Sequence, residues 1–116
     1  TSDKNEGWGA VLNESMSNGC AIVASNMIGS VPFLIEDGIN GLVFKSEDLD
    51  SLETKVASLL DNAEYRRTIA MNAVKTMRTI WSPKNAAKNF LKLCDAIENG
   101  RRLDSVIDKG PCSMAR

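Results

Sequence analysis

A chain of 116 residues with 43% hydrophobic and 25% charged residues has the composition of one globular domain or a piece of one. A net charge of −1 and a pI near 5.4 argue against a partner held mainly by bulk positive charge, nucleic acid above all. The chain has no histidine, which excludes Ser-His and Cys-His nucleophile pairs within it and leaves carboxylates as the acid-base groups.

Cys20, Cys94 and Cys112 are odd in number, far apart and without CxxC spacing, so neither a zinc site nor a disulfide framework is expected. Cys20 and Cys94 lie in apolar sequence and read as small buried thiols of a reducing compartment, which points to the cytoplasm. The first residues lack the apolar core of a signal peptide, and no run reaches the length of a membrane span. The chain opens on Thr1 in what reads as a loop, so a fragment is expected.

In chain order, the first helix is predicted from Gly9 or Ala10 to Ser17, with Val11, Leu12 and Met16 as apolar contacts and Asn18-Gly19 as its end. Cys20-Ala21-Ile22-Val23-Ala24 is a short continuous apolar run that reads as a strand of a parallel sheet, buried on both faces. The loop Ser25-Asn26-Met27-Ile28-Gly29-Ser30 then leaves the carboxyl end of that strand, where open α/β sheets bind ligands. Ser30 is expected to cap a short helix through Val31-Pro32-Phe33-Leu34-Ile35, with proline in the first turn. Asp37-Gly38 and Asn40-Gly41 are turn signals, and Leu42-Val43-Phe44 reads as the second strand.

Three helices are predicted next. One starts at Ser46 or Asp48 with Leu49, Leu52, Val56, Leu59 and Leu60 on one stripe, and ends at Asn62. A second, from about Glu64 to Thr79, turns Tyr65, Ile69, Ala70, Ala73, Val74 and Met77 inward, leaving Arg66 and Arg67 outside. A third opens at Ser82-Pro83 and runs to Asn99-Gly100, with Ala87, Phe90, Leu91, Cys94 and Ile97 as its buried face. Residues 100–116 lack any sustained period and read as an extended or partly disordered tail. The alternation implies parallel strands with helical crossovers, an α/β fold. Two short strands are too few for so many helices, so earlier strands are expected outside this chain.

The stretch with most chemistry is Glu6-Gly7-Trp8-Gly9-Ala10-Val11-Leu12-Asn13-Glu14. A carboxylate stands at each end, and two glycines flank Trp8 at a helix entrance. The glycines let a ligand approach the backbone, and the unpaired N–H groups of a helix start favour an anion such as phosphate. On spacing alone the two glutamates also read as a solvated loop residue and a helix-surface residue. Trp8 is read equally as a packing anchor.

These residues resemble the E-x7-E motif of the retaining GT-B glycosyltransferases of family 4. Residues 15–25 are similar to that family's next block, with Ser15 and Cys20 as departures, and residues 29–41 are similar to its Gly-x-Val-Pro and Asp-Gly-x-Asn-Gly continuation. The resemblance is contiguous over residues 1–44 and implies a partial Rossmann-like fold, with residues 1–99 as the C-terminal part of a nucleotide-sugar-binding domain. It implies backbone contacts to the donor diphosphate and sugar from Gly7, Trp8, Gly9, Ala10 and Val11. It further implies that Glu14 holds the ribose hydroxyls, and that Glu6 is catalytic, holding the transferred sugar near the reacting anomeric carbon. The resemblance implies a nucleotide-diphosphate sugar as donor, and no metal or other cofactor is expected.

The acceptor domain and the Arg and Lys that neutralise the diphosphate in that family lie upstream of anything in this chain, so the piece alone is expected to be inactive. A non-catalytic binding or assembly module is the alternative. Lys84, Lys88 and Lys92 repeat every four residues and offer a possible peripheral contact with an anionic membrane face, against the simpler reading of a solvated helix side.

Overall fold

The computed structural model describes residues 7–103 and 106–114. Along them run α1 (Ala10–Ser17), β1 (Val23–Ser25), α2 (Val31–Leu34), β2 (Leu42–Phe44), α3 (Leu49–Asp61), α4 (Ala63–Thr79) and α5 (Pro83–Glu98). The strands pair in parallel, with Val23 opposite Leu42, Ala24 opposite Val43 and Ser25 opposite Phe44.

That register sorts the core by the period of two. Ile22 and Ala24 join Leu12 and Met16 of α1, Val31 and Leu34 of α2, and Ala73 of α4, with Val43 and Trp81 packed against them. Ala21 and Val23 face the other way, toward Leu42, Leu59 of α3 and Ile69 of α4. The sheet is therefore covered on both faces, and α4 reaches both clusters. Asn40 ties the turn to its surroundings. Its side-chain N–H groups donate to the Leu34 carbonyl at 2.9 Å and the Thr76 hydroxyl at 3.0 Å, while its Oδ1 accepts from the Glu36 N–H at 2.8 Å. A buried amide with three partners specifies this turn tightly.

Helix boundaries follow the capping chemistry. Asp48 accepts from the Ser51 N–H, Asn62 from the Tyr65 N–H and Ser82 from the Asn85 N–H, so α3, α4 and α5 each begin on a side-chain oxygen. Asn62 also ends α3, where the Arg66 guanidinium donates to the Leu59 and Leu60 carbonyls. Arg66 is thus tied to the end of α3 rather than pointing free into solvent.

Several sequence expectations need correction. The first strand is Val23–Ser25 rather than 20–24, and Cys20 is exposed, because the turn after Gly19 has not yet brought the chain to the sheet. Cys94 is only partly covered. Val11, at 42% exposure, lies off the α1 contact face, and Leu49 and Leu60 lie outside the α3 stripe. The largest departure is α5. Its apolar face is exposed, with Phe90 at 58%, Leu91 at 67% and Ile97 at 59%, and Ala87 open as well. The helix instead buries Asn89 and Ala96.

The described part of the tail is also not extended. Ile107 is buried, and the Asn89 side-chain amide donates to the carbonyls of Lys109 and Pro111 at 3.3 and 3.0 Å. Lys109 reaches Glu36 at 3.6 Å.

Candidate functional site

The segment before α1 has no side-chain cap. Gly9 stands at the N-cap with φ 75 and ψ 56, a left-handed conformation that glycine adopts without strain, and no side chain bonds the first-turn N–H groups from that position. The Leu12 N–H turns back to the Gly9 carbonyl at 2.9 Å. No acidic side chain lies in the first turn of α1. The positive end of the helix is therefore not answered by a carboxylate of that turn.

The carbonyls preceding α1 are taken up from the other side. Gly29 donates its N–H to the Gly7 carbonyl at 3.0 Å, and Ser30 donates to the Trp8 carbonyl at 3.1 Å. These two bonds strap residues 7 and 8 onto the loop after β1, the loop expected from sequence to border a ligand. A side chain at Gly7 would meet nothing within 4 Å among the described residues, which leave the space over it open. A Cβ at Gly29 would collide with the Gly7 carbonyl.

Trp8 is held by its ring as well as its backbone. Its indole N–H donates to Asn13 Oδ1 at 2.8 Å, and its ring lies 5.4 Å from Phe33 and 5.6 Å from Trp81, centroid to centroid. It remains 41% exposed. Ser30 is wholly buried at the N-cap of α2, but its hydroxyl makes no capping bond and has no hydrogen-bond partner among the described residues. The expected cap is therefore positional only. Its φ of −82 and ψ of −15 are helical, whereas a capping serine needs extended backbone.

Of the residues singled out from sequence, Gly7, Trp8, Ala10 and Val11 are exposed around the start of α1, Gly9 between them is buried, and Glu14 is exposed one turn further on. Glu6 lies outside the described residues. Sequence reasoning did not find Gly29 and Ser30 as the strap, or Phe33 and Trp81 as the ring partners of Trp8. Contacts between residues so far apart along the chain carry no local signal. A cleft of about 290 Å³ between α2 and the end of α4 is lined in part by Phe33, Glu36, Trp81 and Lys109, and includes none of residues 7–11.

Among the described residues, no three His, Cys, Asp or Glu side chains group as a set able to hold a metal ion. No helix among them is long and apolar enough to cross a membrane.

Comparison with known proteins gives this geometry a context. The family described as glycosyl transferases group 1 matches residues 1–76. The D-inositol 3-phosphate glycosyltransferase of Corynebacterium glutamicum is 30% identical over 95 residues, covering 82% of this chain and 22% of that protein. Among solved structures, the C-terminal domain of a glycosyl transferase group 1 family protein from Francisella tularensis superposes with a TM-score of 0.59 at 28% identity, covering 64% of this chain and 37% of that one. Sucrose-phosphate synthase from Thermosynechococcus elongatus gives a TM-score of 0.65 at 21% identity, over 79% of this chain and 23% of that one, a likeness of fold. The chain spans about a fifth of the length of the curated relatives it matches.

Proposed function

Because the chain belongs to the glycosyl transferases group 1 family, we propose that it forms part of the donor-binding half of a retaining enzyme that transfers a sugar from a nucleotide-diphosphate sugar. The fold is that of GT-B C-terminal domains. The observation that carries the donor assignment is the loop before α1. Its carbonyls at residues 7 and 8 are turned onto Gly29 and Ser30, Gly9 caps the helix without a side chain, and the described residues leave the space over Gly7 open. An anion placed there meets first-turn N–H groups with no intrahelical acceptor.

In this reading residues 7–11 hold the diphosphate through their backbone, and Glu14 accepts from the ribose hydroxyls. Glu6 holds the transferred sugar, where its charge stabilises an oxocarbenium-like transition state. Residues 1–99 form the domain part and residues 100–116 its tail. The open apolar face of α5 supports a partner in the remainder of the same protein.

Kinetics of the longer protein test the division of labour. Glu6→Gln is expected to lower kcat with little change in donor KM, and Glu14→Ala to raise donor KM by roughly tenfold, the loss of about 1.4 kcal/mol of binding. Unchanged kinetics in both variants would remove both glutamates from the site.

A further inference from the structure

We infer that Trp81 is a positioning residue for the loop of residues 7–11: its ring holds Trp8, and through Trp8 the backbone assigned above to the donor diphosphate. This rests on that assignment for its functional meaning, though not for its geometry. The strap from Gly29 and Ser30 fixes the carbonyls of residues 7 and 8, but the loop carries two glycines and its N-cap contributes no side chain, so its remaining order must come from elsewhere. A site that works through backbone N–H groups needs them fixed before the anion arrives.

The Trp8 ring supplies that order from three elements at once. Asn13 on α1 accepts its indole N–H, Phe33 on α2 lies 5.4 Å from it with planes inclined by 42°, and Trp81 lies 5.6 Å from it at 53°. Both separations fall in the range where aromatic rings attract.

Trp81 is the partner that reaches across the fold. It stands between Ile80, which caps α4, and Ser82, which opens α5, and its backbone N–H donates to the Thr76 carbonyl at 3.1 Å. The junction of the two helices is thereby connected to the donor loop by one ring contact. The Trp81 indole N–H is buried and has no acceptor among the described residues. Leaving that donor unpaired is unfavourable, so the ring face rather than the N–H is what this position contributes. A phenylalanine there keeps a face for Trp8 and removes the unpaired donor.

Nuclear magnetic resonance on the 116-residue chain tests this directly, because its two tryptophans give two indole N–H signals. In Trp81→Leu the Trp8 indole N–H and the amides of residues 8–12 should move and exchange roughly tenfold faster, while α3 amides keep their protection. Trp81→Phe should leave the loop amides near their original shifts and rates. Should Trp81→Leu unfold, with α3 protection lost, Phe33→Leu puts the same question from the other side of the ring.

Undisturbed loop amides in a folded Trp81→Leu, or in Phe33→Leu where the first variant unfolds, overturn the proposal, as does a Trp81→Phe variant as disturbed as the leucine one. A parallel titration with UDP-glucose separates this from the donor assignment. Loop amides loosened in Trp81→Leu, with no response to either UDP- or GDP-sugars in the parent, leave Trp81 in its positioning role and remove the donor reading instead.

Discussion

A methyl group at Gly29 would collide with the carbonyl oxygen of Gly7, the same oxygen that accepts the Gly29 N–H. Gly29 is not among the glycines with positive φ, so the conflict is steric and lies in the strap itself. Gly29→Ala should therefore destabilise the chain by about 1–3 kcal/mol, as overpacking does, and shift the amides of Gly7 and Trp8. Urea denaturation and amide shifts together check this. Asp37 is a second residue with a defined role. Burial pushes its carboxyl up, but the Val43 N–H at 2.9 Å, the Lys55 ammonium at 2.9 Å and the Gly38 N–H outweigh burial and hold it below the ordinary carboxylate value. A carboxyl depressed in the folded state stabilises the chain above its unfolded pKa of about 3.9, and that contribution is lost as pH falls through the folded value. With the side chain 49% exposed, the effect is below about 1 kcal/mol. The stability difference between parent and Asp37→Asn should accordingly shrink as pH is lowered past about 4 in a melting series. At this scale the sequence was readable where a residue acts on the chain within a few positions of itself, as Gly9 does through its backbone and Asp48 through its carboxylate. It was not readable at Ser30, where the residue type suits a cap but the helical backbone turns the hydroxyl into a buried, unpartnered group.

The fifth helix shows why an element can be located without its surroundings being known. Ser82-Pro83 and Asn99-Gly100 are local signals, and the helix runs from Pro83 to Glu98 between them. Its apolar stripe was equally visible, yet periodicity states only that one face is apolar, not that its partner is in the same chain. Phe90, Leu91 and Ile97 lie open, while Asn89, a polar residue, is buried because its amide holds the returning tail by two carbonyls. The tail was misread for the related reason that such contacts leave no period in the sequence. In α4 the stripe and the contact do coincide, and Ile69 and Ala73 are fully covered. Phe90→Ser should therefore change the stability of this chain by no more than about 0.5 kcal/mol, the range of ordinary surface substitutions. Ile69→Ala should cost about 2–5 kcal/mol, the transfer and cavity terms of a packed core position. Equal losses in the two variants by chemical denaturation would mean that α5 packs its apolar face within this chain after all.

On the scale of the whole molecule, charge limits what this chain can do with a diphosphate. Its first 44 residues hold one lysine, Lys4, against five carboxylates, while residues 83–102 hold five cations against two carboxylates. The net positive charge is thus concentrated around α5, in a sequence segment separate from the loop before α1. An anion at that loop is attracted by fixed N–H dipoles over a short range and repelled by carboxylates over a longer one. The isolated chain should bind UDP-glucose weakly, with a Kd of about 1 mM or above, a binding free energy no better than about −4 kcal/mol. The sign of the salt dependence then distinguishes two sources of affinity. If carboxylate repulsion dominates, raising sodium chloride from about 20 to about 300 mM shortens the screening length severalfold and should leave binding unchanged or slightly tighter. If lysines or arginines of this chain neutralise the diphosphate, the same change should weaken binding severalfold. Titrations followed at the amides of residues 7–11 read the answer at the site itself. A marked loss of affinity with salt would place the neutralising cations within these 116 residues, and the rest of the protein would then be needed for the acceptor rather than for the donor's charge.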